Sequence, residues 1–107
     1  MINKYSRLAS LVYNLDKPVG RSFGDVEFYR ARLHECAGPV LEPAAGNARV
    51  YVPLREAGID IDGFDASEEM LAYGREACQV RNIAASLSNQ TFETFHYERR
   101  FAAAIIP

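Results

Sequence analysis

The sequence predicts an α/β protein: a parallel sheet of about four strands with helices on both faces, preceded by two N-terminal helices. Three observations carry this. After Pro39, short apolar runs alternate with helix-patterned stretches, as in strands joined by crossover helices. Two of the runs, Val40-Leu41 and Ile59 to Asp65, each lead into a turn and then a helix. The turn after the first consists of small residues, Ala44-Ala45-Gly46, and the second run ends in an acid, Asp65.

Tyr5, Leu8, Val12 and Leu15 fall at helical spacing, so residues 3–15 read as a short amphipathic helix. Pro18, Gly20 and Gly24 mark a loop. Asp25 is the expected N-cap of a second helix, with Val26, Tyr29, Leu33 and Cys36 on one face and Gly38-Pro39 closing it. Asn47 to Ala57 reads as the helix after the first strand, ended by Gly58. Pro53 inside it removes one backbone hydrogen bond and is expected to bend the axis. Ser67 caps the next helix, with Glu68 and Glu69 at the positive end of its dipole. Ala84 to Asn89 is a weak third strand, residues 90–100 a polar loop or short helix, and Phe101 to Ile106 the fourth strand. The expected division is a helical cap over residues 1–38 and a ligand-binding α/β unit over residues 39–107.

Composition narrows the function. At 107 residues the chain is one domain, and a net charge of −2 gives no field that would gather nucleic acid or anionic lipid. No apolar run is long enough to span a bilayer, and residues 1–15 lack a signal-like apolar stretch, so a cytoplasmic protein is expected. Cys36 and Cys78 lie far apart on apolar helix faces and read as reduced, buried thiols.

A ligand lying across the end of a parallel sheet needs close backbone approach, which the small residues around Gly46 allow, and free N–H groups at a helix start attract an anionic group. The same turn is equally a tight strand-to-helix connection without a ligand. Only one of the three glycines of the dinucleotide fingerprint is present. Asp65 ends the second strand close to the offset of roughly 20 residues at which an acid meets ribose hydroxyls. It reads either as that acid or as a residue closing a strand and starting a helix. Asp60 and Asp62 faintly match a calcium loop, but the third acid and the closing Glu are missing, so they read as polar residues on a strand's approach and no metal is expected. His34 and His96 have no local partner, and Arg99-Arg100 reads as a solvated pair.

Together, Leu41-Glu-Pro-Ala-Ala-Gly-Asn-Ala-Arg-Val50 and Pro53-Leu-Arg-Glu-Ala-Gly-Ile-Asp-Ile-Asp-Gly-Phe-Asp-Ala-Ser-Glu-Glu-Met-Leu71 resemble class I S-adenosylmethionine-dependent methyltransferases. The closest likeness is to the small-molecule type whose first motif reads Glu-Pro-Ala-Cys-Gly-Thr-Gly-Arg. It extends to Gln90-Thr-Phe92 and to Arg100–Pro107, in the place of the family's fourth strand. The resemblance implies a Rossmann-like fold and S-adenosylmethionine as cofactor. Glu42, Ala44 and Gly46 would border its methionine part and Asp65 its ribose. Ala66 and Met70 would pack beside the adenine, Thr91 and Phe92 would stand at the adenine edge, and Tyr5 and Tyr13 would belong to an N-terminal lid. Three positions depart from the pattern: Ala48 for a glycine, Thr91 for an acid that accepts from the adenine amine, and Ala102 for an acid opening the fourth strand.

The resemblance covers only the N-terminal half of a typical family member. The half that supplies most contacts to a small-molecule acceptor is not matched, and catalytic residues are not assigned. An exposed edge at Phe101 to Ile106 would need covering. The expectation is a homodimer in which two fourth strands pair antiparallel, or completion by a partner chain. The alternatives are a non-catalytic interaction module descended from a methyltransferase, or a fragment of a longer enzyme.

Overall fold

The computed structural model describes residues 2–107, with side chains from Arg7 onward. The elements run α1 (Ile2–Asp16), α2 (Asp25–Leu33), β1 (Val40–Pro43), α3 (Tyr51–Glu56), β2 (Ile61–Asp65), α4 (Glu68–Val80), β3 (Leu87–Asn89) and β4 (Ala103–Ala104). The strands form one parallel sheet in the order β3-β2-β1-β4, with Glu42 beside Gly63 and Asp65 beside Asn89. This is a Rossmann-like α/β arrangement, in which successive crossovers carry β1, β2 and β3 outward and the chain then returns to the far side of β1.

The core lies between this sheet and α3 and α4. Val40, Tyr51, Leu54, Ile61, Leu71 and Cys78 are fully buried there. Gly63 makes the packing possible: a Cβ on it would stand 3.0 Å from Ala45 Cβ and 3.0 Å from Leu87 Cδ2. Tyr51 is anchored by its hydroxyl, which accepts from Ser86 N–H at 2.9 Å. Ser67 caps α4 as expected, its Oγ accepting from Met70 N–H at 3.2 Å. α2 packs on α3, and α1 on α4.

The opposite face of the sheet carries Asp62 and Phe64. There the crossover from β3 to β4 takes the place of a helix. Phe95 stacks on Phe64 with ring centroids 4.8 Å apart, Phe92 meets Phe64 edge-on at 5.6 Å, and Tyr97 meets Phe101 edge-on at 5.1 Å. Arg99 fastens the crossover's far end, donating to Asp60 at 2.6 Å and 3.3 Å and to Asp62 at 3.3 Å. Asp62 also accepts from the Ser86 hydroxyl.

Several local expectations are corrected. Arg99 is not a freely solvated residue, because the strand approach it faces carries two carboxylates. Asp25 is the first residue of α2 rather than its cap. Gly24, at φ 92°, holds the cap position, and the Asp25 carboxylate is drawn to Arg49. α2 ends at Leu33, so Gly38 is not its closing residue. Gly38 instead lets the chain before β4 come close: a Cβ on it would stand 2.8 Å from Ala102 Cβ. α3 starts at Tyr51, not Asn47, because Ala48 has a left-handed backbone. Pro53 therefore falls in the first helical turn, where an N–H has no intrahelical partner, and needs no bend. The fourth strand shortens to Ala103–Ala104, though Ala102 N–H and Ile105 N–H extend its hydrogen bonding to Pro39 and Leu41. The α1 face read as core is exposed at Leu8, Val12 and Leu15. The helix attaches instead through its opposite side, where Ser10 is buried, and no described segment covers the apolar stripe.

Candidate functional site

The site forms at the C-terminal ends of β1 and β2, where parallel sheets of this kind bind ligands. The β1–α3 turn places three left-handed residues within five positions: Ala44 at φ 55°, Gly46 at φ 61° and Ala48 at φ 69°. Only Gly46 adopts this conformation without a steric cost. Asp65, at the end of β2, reaches across to the turn. Its Oδ1 accepts from Gly46 N–H at 3.1 Å and its Oδ2 from Ser67 N–H at 3.0 Å. Each oxygen keeps acceptor capacity for a further donor.

Two cavities flank this contact and share Ala44 in their walls. One, of about 260 Å³, is lined by Phe64, Asp65, Ala66, Gln90, Thr91, Phe92 and Glu93 besides Ala44. The other, of about 60 Å³, is lined by Tyr13, Glu42, Ala45, Asn47, Arg49, Val50 and Pro107 besides Ala44. Thus Asp65, Ala66, Thr91 and Phe92 come together on one side of the turn, and Glu42 and Tyr13 on the other. Met70 packs beside Gly46, its Cε 3.2 Å from where a Cβ would stand, rather than in the wall of the larger cavity. Tyr5 lies outside the described side chains.

Glu42 is 2% exposed, and its Oε1 has no hydrogen-bond partner. Burial pushes its carboxyl well above the usual range, with the Arg49 charge opposing and the Asp25 and Asp65 charges adding to the rise. Arg49 does not pair with it. Its guanidinium forks onto Asp25 at 2.6 Å and 3.0 Å, leaving Nε buried and unpartnered. That pair holds the Asp25 carboxyl at about 2. Glu42 thus offers a desolvated acceptor to a ligand's ammonium or N–H donor, and such a donor restores the ionised carboxylate.

Sequence reasoning missed Asn47 and Arg49. The buried Asn47 amide donates to Asn14 Oδ1 at 2.9 Å and to the Lys17 carbonyl at 2.8 Å, while its oxygen accepts from Arg49 N–H at 3.2 Å. It therefore ties the end of α1 to the turn. A polar residue in a turn reads as solvated, and no local pattern marks these distant partners.

A larger cavity, of about 410 Å³ and lined in part by His34, Cys36 and Asp60, opens at the other end of the sheet. It lies at the N-terminal ends of β1 and β2, away from the end at which parallel sheets of this kind bind ligands. No helix among the described residues is long and apolar enough to cross a membrane.

No protein-family model and no curated protein sequence matches this chain. Among solved structures it is similar to the glycopeptide N-methyltransferase MtfA complexed with sinefungin. The two share 26% identity over 77% of this chain and 34% of that one, with a TM-score of 0.65. It is also similar to an S-adenosylmethionine-dependent methyltransferase from Clostridium acetobutylicum ATCC 824, at 17% identity over 95% of this chain and 43% of that one, TM-score 0.70. A third similar structure is magnesium protoporphyrin IX methyltransferase (ChlM) from Synechocystis PCC 6803 with bound SAM, at 20% identity, 77% and 42% coverage, TM-score 0.65. The last two speak for the fold alone. The chain has the Rossmann-like fold of these methyltransferases and spans well under half of their length.

Proposed function

We propose that this chain is the cofactor-binding part of a small-molecule S-adenosylmethionine-dependent methyltransferase. The observation that carries the reading is Asp65, joined to Gly46 N–H at the end of the sheet, with a cavity on either side of the contact. The residues present fit the cofactor. Asp65 has acceptor capacity for two ribose hydroxyls. Ala66 and Phe92 supply apolar wall for a base, and the orphaned Glu42 Oε1 awaits the donor that an amino-acid ammonium brings. When bound, S-adenosylmethionine supplies a methyl group on a cationic sulfur, ready for transfer to a nucleophile. What this chain contributes is binding and orientation; holding an acceptor in line with that methyl falls to surfaces beyond the cavities described. In this reading residues 1–38 act as a lid over the α/β unit of residues 39–107, with Tyr13 reaching the Glu42 cavity.

The reading includes completion of the sheet beside β4. Ile106 is exposed, and no strand among the described residues pairs with the outer edge of Ala103–Ala104. Further chain, a partner or a second copy joined through Phe101 to Ile106 would cover it. Light scattering at micromolar concentration tests the second copy, and a stable monomer rejects it.

A non-catalytic descendant is the second reading, favoured by Thr91, a neutral hydroxyl that shares a hydrogen bond with Thr94 at 2.7 Å, standing where the resembled family has an acid. Calorimetric titration with S-adenosylhomocysteine separates the two. Micromolar binding that weakens at least about 30-fold in Asp65→Ala, two charge-assisted hydrogen bonds being lost, supports the first. No heat at millimolar ligand overturns it.

A further inference from the structure

The apolar stripe of α1 turns away from the body of the protein. The helix is held through its other side, where Ser10 is buried and Asn14 accepts from the Asn47 amide. Leu8, Leu11, Val12 and Leu15 are 60%, 42%, 56% and 71% exposed. At about 100° per residue they span an arc of roughly 100° on one face of the helix. A groove of about 580 Å³ runs along this face, walled by Leu8, Ala9, Val12 and Tyr13, with Asp16 and Lys17 at its end.

The net charge of −2 hides an uneven distribution. Residues 1–24 carry Lys4, Arg7, Lys17 and Arg21 against one acid, Asp16, and acids outnumber cations in the rest of the chain. Arg7 is exposed at the Leu11 margin of the stripe and has no ion-pair partner among the described residues. The Lys17 ammonium lies 5.3 Å above the Tyr13 ring at the stripe's end.

We propose that α1 is a docking surface for an anionic lipid bilayer, lying flat in the headgroup region with its stripe among the acyl chains. Pattern and charge both select this partner. An interfacial helix buries its apolar face roughly 5–10 Å deep, while cations along its margins meet anionic headgroups. A second copy or a partner protein fits less well, because four apolar side chains fall far short of the roughly 20–30 residues a side that a stable interface uses. At 15 residues α1 lies on the bilayer and does not span it. Docking of this kind is independent of what binds at the ends of β1 and β2.

The test is co-sedimentation of the full chain with two sets of vesicles, one of equal parts phosphatidylserine and phosphatidylcholine, the other of phosphatidylcholine alone. Binding to the mixed set is expected to be at least about tenfold stronger, from two or more basic groups near the anionic surface. Leu15→Asp weakens it at least about tenfold, one leucine being withdrawn from the acyl region. Arg7→Gln weakens it about fivefold. Ile106→Asp, a change at an exposed apolar residue on the edge of β4, leaves it unaltered. All three positions are exposed, so the fold tolerates the changes, and an unshifted melting temperature verifies this. Absence of binding to the mixed vesicles, equal binding to both sets, or binding that survives Leu15→Asp overturns the proposal. A dimer in light scattering that Leu15→Asp dissociates also overturns it, by making the stripe an interface between copies.

Discussion

Replacing Asp25 by Asn tests the pairing that keeps Arg49 away from Glu42. In the native protein the Asp25 side chain is 25% exposed and that of Arg49 11%, and the two are joined by two hydrogen bonds of 2.6 Å and 3.0 Å. Arg49 is the largest cause of the lowered Asp25 pKa, which falls from 3.8 to about 2, with Phe23 and Val26 N–H groups adding to it and burial opposing. A carboxyl whose folded pKa is depressed stabilises the fold above its unfolded pKa, and that stability is lost as pH falls through the folded value. At about 1.4 kcal/mol per pKa unit, the ionised carboxylate contributes up to about 2 kcal/mol at pH 7. That contribution disappears between about pH 4 and pH 2. Leaving Arg49 mostly buried and unpaired adds to the loss in Asp25→Asn. Urea unfolding at pH 7 is expected to show the variant about 2–4 kcal/mol less stable, and the gap to the wild type should close as pH is lowered to 2. A gap that is the same at pH 7 and pH 2.5, or no gap at pH 7, refutes the reasoning.

The buried acid beside this pair gives the opposite pH dependence. The folded pKa of Glu42 is raised by burial, so the native state holds its proton longer than the unfolded chain, and stability from this group falls as pH rises above 4.5. Glu42→Gln should therefore gain in melting temperature relative to the wild type as pH goes from 5 to 8; a gap that shrinks over that range rejects the prediction. Ala48→Gly should be nearly neutral. It relieves a left-handed alanine of about 1 kcal/mol, but loses a fully buried methyl of about 0.8 kcal/mol and raises unfolded-chain entropy by about 0.4–1 kcal/mol. A melting-temperature shift beyond about 8 °C, more than 1 kcal/mol in a domain of this size, would show that one of these magnitudes is wrong.

What was legible in the sequence is what local physics writes there. The apolar runs at Val40-Leu41 and Ile59 to Asp65, the second of which forms its strand only from Ile61, the Ser67 cap and the small turn at Ala44–Gly46 each declare themselves within a few residues, and together they place Asp65 beside Gly46. The interactions that lock the site are long-range and leave no periodic trace. Asp25 pairs with Arg49, Asn47 with Asn14, Arg99 with Asp60, and the Tyr51 hydroxyl with Ser86. Each involves a residue that looks solvated or merely apolar when read locally. The stripe on α1 shows the converse failure: Leu8, Val12 and Leu15 have helical spacing, yet spacing names a face without naming what it meets.

The departures from the family pattern are also less isolated than a linear reading makes them. Ala48 brings a methyl into the turn that must approach a ligand, but that methyl points to α4, not toward the cavities. It stands 3.0 Å from where a Gly74 Cβ would be, and the Asn47 carbonyl is within 3.3 Å of the same point. The missing glycine in the turn is thus compensated by the glycine on the facing helix. Gly63 does the same for Ala45 from the floor of the sheet. Space around the turn comes from neighbouring elements, and its left-handed backbone is held by Asp65 on one side and the Asn47 amide on the other. The cradle therefore keeps its shape with one glycine, and the substitution at Ala48 does not itself argue against a ligand.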